Sequence, residues 1–195
     1  MTSIEIHSKV RVNKELKLIT YAEHWATAGC LLDRAAREKR GSYHQYLACI
    51  TFTAFTLEAF LNHIGEELFE DWRDDLEQIS VKGKMRIISD KLGLKVDYGE
   101  APWQVVPELV AFRNKVAHGK NERLFEEVIL PLSKYDEHLN KFLKSNWQEA
   151  ATMENAKRLR NLVQDLCLKI WTASGFSEVT LFAHGSQSGS ASTDR

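Results

Sequence analysis

The sequence predicts an all-α protein, an up-and-down bundle of five or six helices. Apolar residues recur at three- and four-residue spacing in six segments, which is the period of a helix with one buried face. Only three prolines interrupt the 195 residues, and proline is the residue that most often breaks helices. Hydrophobic residues make up 44% of the chain, which is enough to build one core in a domain of this length.

The first element is a weak strand signal, in which apolar residues alternate with polar ones at Ile4, Ile6, Val10 and Val12. From about Asn13 to Arg40 the spacing changes to the helical period, so a first helix is expected there. Gly41 follows as its predicted end, because glycine is the commonest residue just past a helix C-terminus.

The second helix, predicted from Tyr43 to Phe69, is apolar on two sides, which favours a central position or a role in both the core and a subunit interface. Its second stripe contains Ala48, Phe52, Phe55 and Ala59. Glu58 is the one Asp, Glu, Lys or Arg between Tyr43 and Gly65. Because burying a lone carboxylate is unfavourable, Glu58 is expected to pair with a cation, and we predict that this cation is Arg113.

In the rest of the chain, the residue pattern predicts an acidic, solvent-facing stretch at 71–78, a loop at 93–103 and four more helices. These helices are expected at about Lys82–Leu92, Pro107–His118, Leu132–Lys144 and Met153–Ala173. Gly119 is expected to end the fourth helix in a left-handed conformation. Residues 1–180 are predicted to form one helical domain, and 181–195 a flexible polar tail, because this end is rich in glycine and serine.

Net charge, cysteine placement and the length of apolar runs limit the classes of function that this protein can have. The net charge is −1, so any contact with nucleic acid must come from a local basic patch. Cys30, Cys49 and Cys167 are scattered inside apolar patterns, which indicates buried, reduced thiols and a cytoplasmic location. We expect neither a signal peptide nor a membrane span, since no apolar run reaches about 18 residues. No cofactor motif or metal-ligand spacing is visible, so no metal is expected.

One segment contains reactive groups at a suggestive spacing. Arg113, Asn114 and His118 lie beside the apolar seam of the fourth predicted helix, and Asn114 and His118 share a face because they are four residues apart. Histidine can exchange a proton near neutral pH, and arginine can bind phosphate through two N–H groups. With RNA, whose 2′-hydroxyl is an internal nucleophile, these groups could catalyse transesterification to a 2′,3′-cyclic phosphate.

A purely structural interpretation of the same residues is also open. Histidine and lysine near a helix C-terminus interact favourably with the helix dipole, and a histidine followed by glycine is an ordinary helix end. The basic clusters formed by Lys82, Lys84 and Arg86 and by Lys157, Arg158 and Arg160 are interpreted as solvated helix faces.

The string Phe112-Arg113-Asn114-Lys115-Val116-Ala117-His118-Gly119 resembles the arginine–x4–histidine signature of the HEPN superfamily. The run Leu57-Glu58-Ala59-Phe60 also resembles the preceding core helix of that family. The resemblance implies a HEPN-like bundle and a metal-independent endoribonuclease of toxin–antitoxin or antiviral-defence type, with Arg113, Asn114 and His118 as catalytic residues. Glu58 would orient Arg113, and the nearby cations Lys115, Lys120 and Arg123 would bind RNA.

The resemblance also implies a homodimer in which two copies of the motif line one cleft, and a possible antitoxin or regulatory protein as partner. The alternative is a non-catalytic module of the same fold that binds another protein or dimerises. The two hypotheses differ in the expected surroundings of the motif. An open, positive cleft at Arg113 and His118 favours the enzyme, whereas a buried ion pair of Arg113 and a covered His118 favour the module.

Overall fold

The computed structural model describes residues 10–177 and 180–193, which form a mostly helical domain with one small sheet. The long helices are α1 (Thr20–Arg37), α2 (Ser42–Leu68), α3 (Val81–Lys91), α4 (Val105–His118) and α7 (Met153–Ala173), with two short helices, α5 (Tyr135–Leu139) and α6 (Asn146–Glu149). Strands β1 (Val10–Leu16) and β2 (Gln187–Thr193) pair antiparallel. The predicted helical class is therefore confirmed in its main feature.

Helix α2 is the centre of the bundle, and it packs against α1, α3, α4 and α7. Its fully buried side chains include Ile50, Phe60, Leu61 and Ile64. Ile50, Leu61 and Ile64 belong to the first of the two apolar stripes predicted for this helix. By length and composition α2 could also cross a membrane, a property that the core helix of a folded domain shares. Its second stripe remains partly exposed, at Ala48, Phe52, Phe55 and Ala59.

The two ends of the described chain differ from the predictions. The first helix begins at Thr20 rather than near Asn13, because residues 10–16 form β1. Val10 and Val12 lie in this strand, as predicted, whereas Ile4 and Ile6 lie outside the described residues. The tail was predicted to have no regular structure, yet Gln187–Thr193 pairs with β1 along its whole length. The two strands are held together by backbone hydrogen bonds. The side chains of β2 are small and mostly polar, so the sequence shows no apolar pattern that would predict this strand. Leu181, just past the predicted domain boundary, is 5% exposed and belongs to the core.

The stretch from Asp71 to Gln78 was wrongly predicted to face solvent throughout. It contains a π-helical turn, Trp72–Leu76, and Trp72 is 1% exposed. The indole of Trp72 lies against Gly65 of α2, where an added Cβ would come within 2.1 Å of the ring. Glycine is therefore required at position 65 so that this turn can close over the core.

The segment between α4 and α6 is mostly exposed. A helix was predicted at Leu132–Lys144, but the structure has only a 3-10 turn, Leu132–Lys134, followed by the short helix α5. Leu132, Leu139 and Phe142 are each at least two-thirds exposed, so this segment lacks the packing that normally stabilises a short helix. Nine large apolar residues are exposed here, namely Leu124, Phe125, Val128, Ile129, Leu132, Tyr135, Leu139, Phe142 and Leu143.

Candidate active site

Helix α4 positions the motif by burying one side against the bundle. Val105, Leu109 and Phe112 are at most 7% exposed, and α4 contacts α2, α3 and α7. Arg113 and Asn114 follow Phe112 directly, so their side chains lie at the edge of this interface. The helix ends at His118, as predicted from the sequence.

The end of α4 differs from the prediction in its backbone. Gly119 has φ −59° and ψ 136°, which is not the expected left-handed conformation. Glycine is favoured here for another reason, because a Cβ would lie 2.4 Å from the carbonyl oxygen of Lys115. The chain leaves the helix by passing close to that carbonyl.

Arg113 is held by two acceptors. Its Nη2 donates to Oε2 of Glu58 on α2 at 2.6 Å, and its Nη1 donates to Oδ1 of Asn114 at 3.1 Å. The side chains of Arg113 and Glu58 are 29% and 31% exposed, so this ion pair is half-buried. The predicted pairing of Glu58 with Arg113 is confirmed. The other N–H groups of the guanidinium have no partner among the described residues.

A buried lysine next to this pair escaped the sequence analysis. Lys84 on α3 is 2% exposed, and its Nζ donates to Oδ1 of Asn62 at 2.6 Å. Burial lowers the pKa of Lys84, whereas the charges of Glu58 and Glu77 raise it. The interpretation of Lys84 as part of a solvated face is wrong. A signal was available, because Lys84 is four residues from the buried Ile88 on the same helix.

A pocket of about 260 Å³ opens beside Arg113. Its polar lining includes Glu58, Ser80, Arg113 and Asn114, and Leu57 and Leu109 contribute an apolar part. The pocket therefore combines the face of an oriented cation with hydrogen-bonding side chains, a combination suited to a small anionic group.

His118 lies outside this pocket. It is exposed, and it makes no hydrogen bond or ion pair with the described part of the chain. Because Asn114 and His118 are one helical turn apart, the histidine lies further along the same face of α4. His118 is thus uncovered, while Arg113 is paired but partly open.

The cations predicted to bind RNA beside Arg113 are not grouped with it. Lys115 and Lys120 line a different pocket, of about 410 Å³, together with Ser145 and Gln148. Lys115 Nζ also donates to Oε1 of Glu122 at 3.2 Å. Lys115 is two residues after Arg113, so its side chain points to nearly the opposite side of the helix from that of Arg113. Arg123 is exposed in the segment that follows. The structure therefore groups Glu58, Arg113 and Asn114 but separates Lys115 and Lys120 from them.

No group of three or more His, Cys, Asp or Glu residues is placed to hold a metal ion within residues 10–177 and 180–193. The thiols were all predicted to be buried, and this is wrong for Cys30, which is exposed on α1, whereas Cys49 and Cys167 are buried.

Comparisons with protein-family models, with curated proteins and with solved structures found no match to this chain.

Proposed function

We propose that this protein is a metal-independent endoribonuclease of the HEPN type, which uses Arg113 and His118. One observation carries the proposal. Glu58 and Asn114 orient the guanidinium of Arg113 at the wall of a pocket, and several of its N–H groups remain available. His118 stands uncovered further along the same helix. An oriented cation can stabilise the charge that develops in phosphodiester transesterification, and an accessible imidazole can transfer a proton in it.

The proposed reaction begins when His118 takes the proton from the 2′-hydroxyl of RNA. The 2′-oxygen then attacks the adjacent phosphorus, and the bond from phosphorus to O5′ breaks. Arg113 stabilises the negative charge that develops on the phosphoryl oxygens. In the dimer proposed below, His118 of the second copy gives a proton to the leaving O5′, so the products are a 2′,3′-cyclic phosphate and a 5′-hydroxyl.

We propose that the active form is a homodimer, and the exposed segment after α4 supports this. Nine large apolar residues between Leu124 and Leu143 are 44–100% exposed. At about 150–250 Å² for a fully exposed Phe or Tyr, and less for Leu, Ile and Val, the nine side chains together present on the order of 1,000 Å². A stable interface buries about 800 Å² per partner. Because this segment follows His118 directly, a second copy docked on it would lie near the motif.

The dimer is tested by sedimentation at micromolar concentration. We expect a species of about twice 22.4 kDa. The double variant Ile129→Asp/Phe142→Asp is expected to be a monomer, since both side chains are at least 87% exposed and a charge at an apolar interface is unfavourable. The control Leu16→Asp, at a 63% exposed position on β1, should remain a dimer. A wild-type protein that sediments only as a monomer would contradict the proposal.

The activity is tested by incubating the purified protein with a synthetic RNA in EDTA. We expect cleavage that leaves 2′,3′-cyclic phosphate ends and that stops when the cleaved position carries a 2′-deoxyribose. His118→Ala and Arg113→Ala should each lower the rate at least about 100-fold, as removal of a proton-transfer or charge-stabilising group does. The control His44→Ala, at an exposed position of α2, should retain full activity. Loss of cleavage in EDTA with recovery on adding a divalent ion would refute the mechanism.

The second candidate function is a non-catalytic module that binds a partner protein such as an antitoxin. The exposed apolar segment favours it, because a partner could cover these residues in place of a second copy. This candidate predicts a protein without ribonuclease activity whose His118→Ala variant binds its partner normally. Cleavage that depends on His118 would exclude it.

A further inference from the structure

A second concave region lies on the other side of Ser80 from Arg113. Lys82 and Arg86 of α3, with Lys95 and Tyr98 of the following loop, line a pocket of about 700 Å³, here called the basic groove. Lys82 and Arg86 are four residues apart, so they share one face of α3. All four residues are exposed, so a ligand could reach them without a conformational change.

The cations of the basic groove form no ion pair with the part of the chain that the structure describes. Among residues 10–177 and 180–193, Lys82, Arg86 and Lys95 make no hydrogen bond and have no carboxylate within ion-pair distance. Asp90 is the single acidic residue in the lining, so the lining has a net charge of 3 − 1 = +2. Three cations without a carboxylate partner among the described residues create a local potential that attracts an anion, although the whole chain has a net charge of −1.

An aromatic ring lies among these cations. Tyr98 is 36% exposed, and Nζ of Lys82 lies 5.9 Å from the centre of its ring. Burial raises the pKa of Tyr98, and the nearby charge of Arg86 opposes this shift. A partly exposed ring between cations matches the way proteins bind single-stranded nucleic acid, with bases stacked on aromatic rings and phosphates on lysine and arginine.

The basic groove adjoins the pocket beside Arg113. Ser80, the residue before α3, lines both the basic groove and the pocket beside Arg113. A strand with one phosphate near Arg113 could therefore extend past Ser80 onto Lys82 and Tyr98. This path differs from the one predicted by sequence, which used Lys115 and Lys120 on another side of α4.

We propose that Lys82, Arg86, Lys95 and Tyr98 form a subsite for single-stranded RNA, in which the three cations bind phosphates and Tyr98 stacks on a base. This inference rests on the proposed ribonuclease function, since it assigns the path of the substrate beyond the scissile bond.

The test measures RNA affinity in a background that cannot cleave. A fluorescein-labelled single-stranded RNA of twelve nucleotides is titrated with the His118→Ala protein in EDTA, and anisotropy is recorded over a range of salt concentrations. The triple variant Lys82→Gln/Arg86→Gln/Lys95→Gln is compared with the triple control Arg34→Gln/Arg37→Gln/Lys39→Gln. The control changes three exposed cations near the end of α1, so both triple variants alter the net charge equally.

We expect the groove variant to bind about 10- to 50-fold more weakly at 0.15 M salt, because each phosphate contact contributes about 0.7 to the logarithmic salt slope. Its slope should fall by about 2, whereas the control should keep the slope of the parent. Tyr98→Ala should weaken binding about 5- to 100-fold, and Tyr98→Phe should leave it unchanged, because stacking needs the ring and not the hydroxyl. Circular dichroism and melting curves verify that each variant is folded.

Equal affinities of the groove variant and the control would overturn the inference, even if the wild-type protein cleaves RNA through His118. Equal binding of double-stranded and single-stranded RNA, with no effect of Tyr98→Ala, would overturn the stacking role and with it the assignment. Groove-dependent binding by a wild-type protein that does not cleave would keep the subsite and refute the ribonuclease function.

Discussion

Glu58→Gln removes one charge from the centre of the candidate site with little change in shape. Glutamine has the size of glutamate and keeps one oxygen that can accept from Nη2 of Arg113, now at 2.6 Å from the carboxylate. The charge, however, also acts on Lys84, a buried ammonium whose one hydrogen bond among the described residues is to Asn62. The variant therefore leaves the half-buried Arg113 without its anion, and it leaves the buried Lys84 with the charge of Glu77 but without that of Glu58.

The expected magnitude follows from the exposure of these groups. Breaking a buried pair by removing one member costs about 3–5 kcal/mol, whereas an exposed pair contributes about 0–1 kcal/mol. The side chains of Arg113 and Glu58 are 29% and 31% exposed, which places them between these limits, and glutamine retains part of the hydrogen bond. We expect a loss of about 1–3 kcal/mol, or a melting temperature lower by about 3–10 °C in a domain of this size.

The assay is thermal or urea unfolding, with Glu66→Gln as the matched control. Glu66 lies on the same helix and also pairs with an arginine, through two bonds of 3.0 Å to Arg73. Those side chains are 38% and 75% exposed, so the control should lose no more than about 1 kcal/mol. Equal destabilisation by the two variants would refute the argument that burial gives the Glu58 pair its importance.

The involvement of Lys84 is tested in the same assay with a double-mutant cycle. In a Lys84→Met background, Glu58→Gln no longer removes an anion that acts on a buried ammonium. The loss caused by Glu58→Gln should therefore shrink by at least about 0.5 kcal/mol, which is the lower end of coupling between neighbouring groups. An unchanged loss would show that Glu58 does not act on Lys84.

Three other predictions follow from the packing. One thiol per chain, that of the exposed Cys30, should react with an alkylating reagent under native conditions, because burial raises the pKa of Cys49 and raises that of Cys167 further. Gly65→Ala should lower the free energy of unfolding by about 1–2 kcal/mol, since a clash with Trp72 exceeds the gain in helix propensity. Burial lowers the pKa of His63 below its usual value of 6.5, so the unfolded chain binds more protons than the folded chain at mildly acidic pH. The free energy of unfolding should therefore fall as the pH drops below about 6.5. His63→Phe should reduce that fall.

A separate measurement or control variant tests each of these three predictions. Mass spectrometry should find the two buried thiols alkylated only after unfolding, and early labelling of either would contradict their burial. Gly83→Ala on α3, whose Cβ would meet only side chains at 3.3 Å or more, should be neutral or stabilising by up to about 1 kcal/mol. His63→Phe and the wild type should have parallel stability curves above pH 6.5, and parallel curves below it would refute the titration of His63.

The sequence alone determined the elements whose signals are local. The spacing of apolar residues predicted α7 at about Met153–Ala173, and Gly119 predicted that α4 ends at His118; the structure has the same bounds. One long-range contact was also predictable. Glu58 is the one Asp, Glu, Lys or Arg between Tyr43 and Gly65, and Arg113 lies beside the seam of another helix, so the unfavourable burial of a lone charge indicated their pairing. The catalytic roles of these residues remain a proposal.

Only the tertiary structure decided which side chains meet from distant parts of the chain. It paired β1 with the glycine- and serine-rich β2 through backbone groups, which are the same in every residue. It placed Trp72 over Gly65 and buried Lys84 next to Asn62. It also placed Lys115 at a different pocket from Arg113, and it placed the basic groove next to the Arg113 pocket, with Ser80 in both linings. These arrangements depend on how helices pack in three dimensions, and the spacing of residues along one helix does not contain that information.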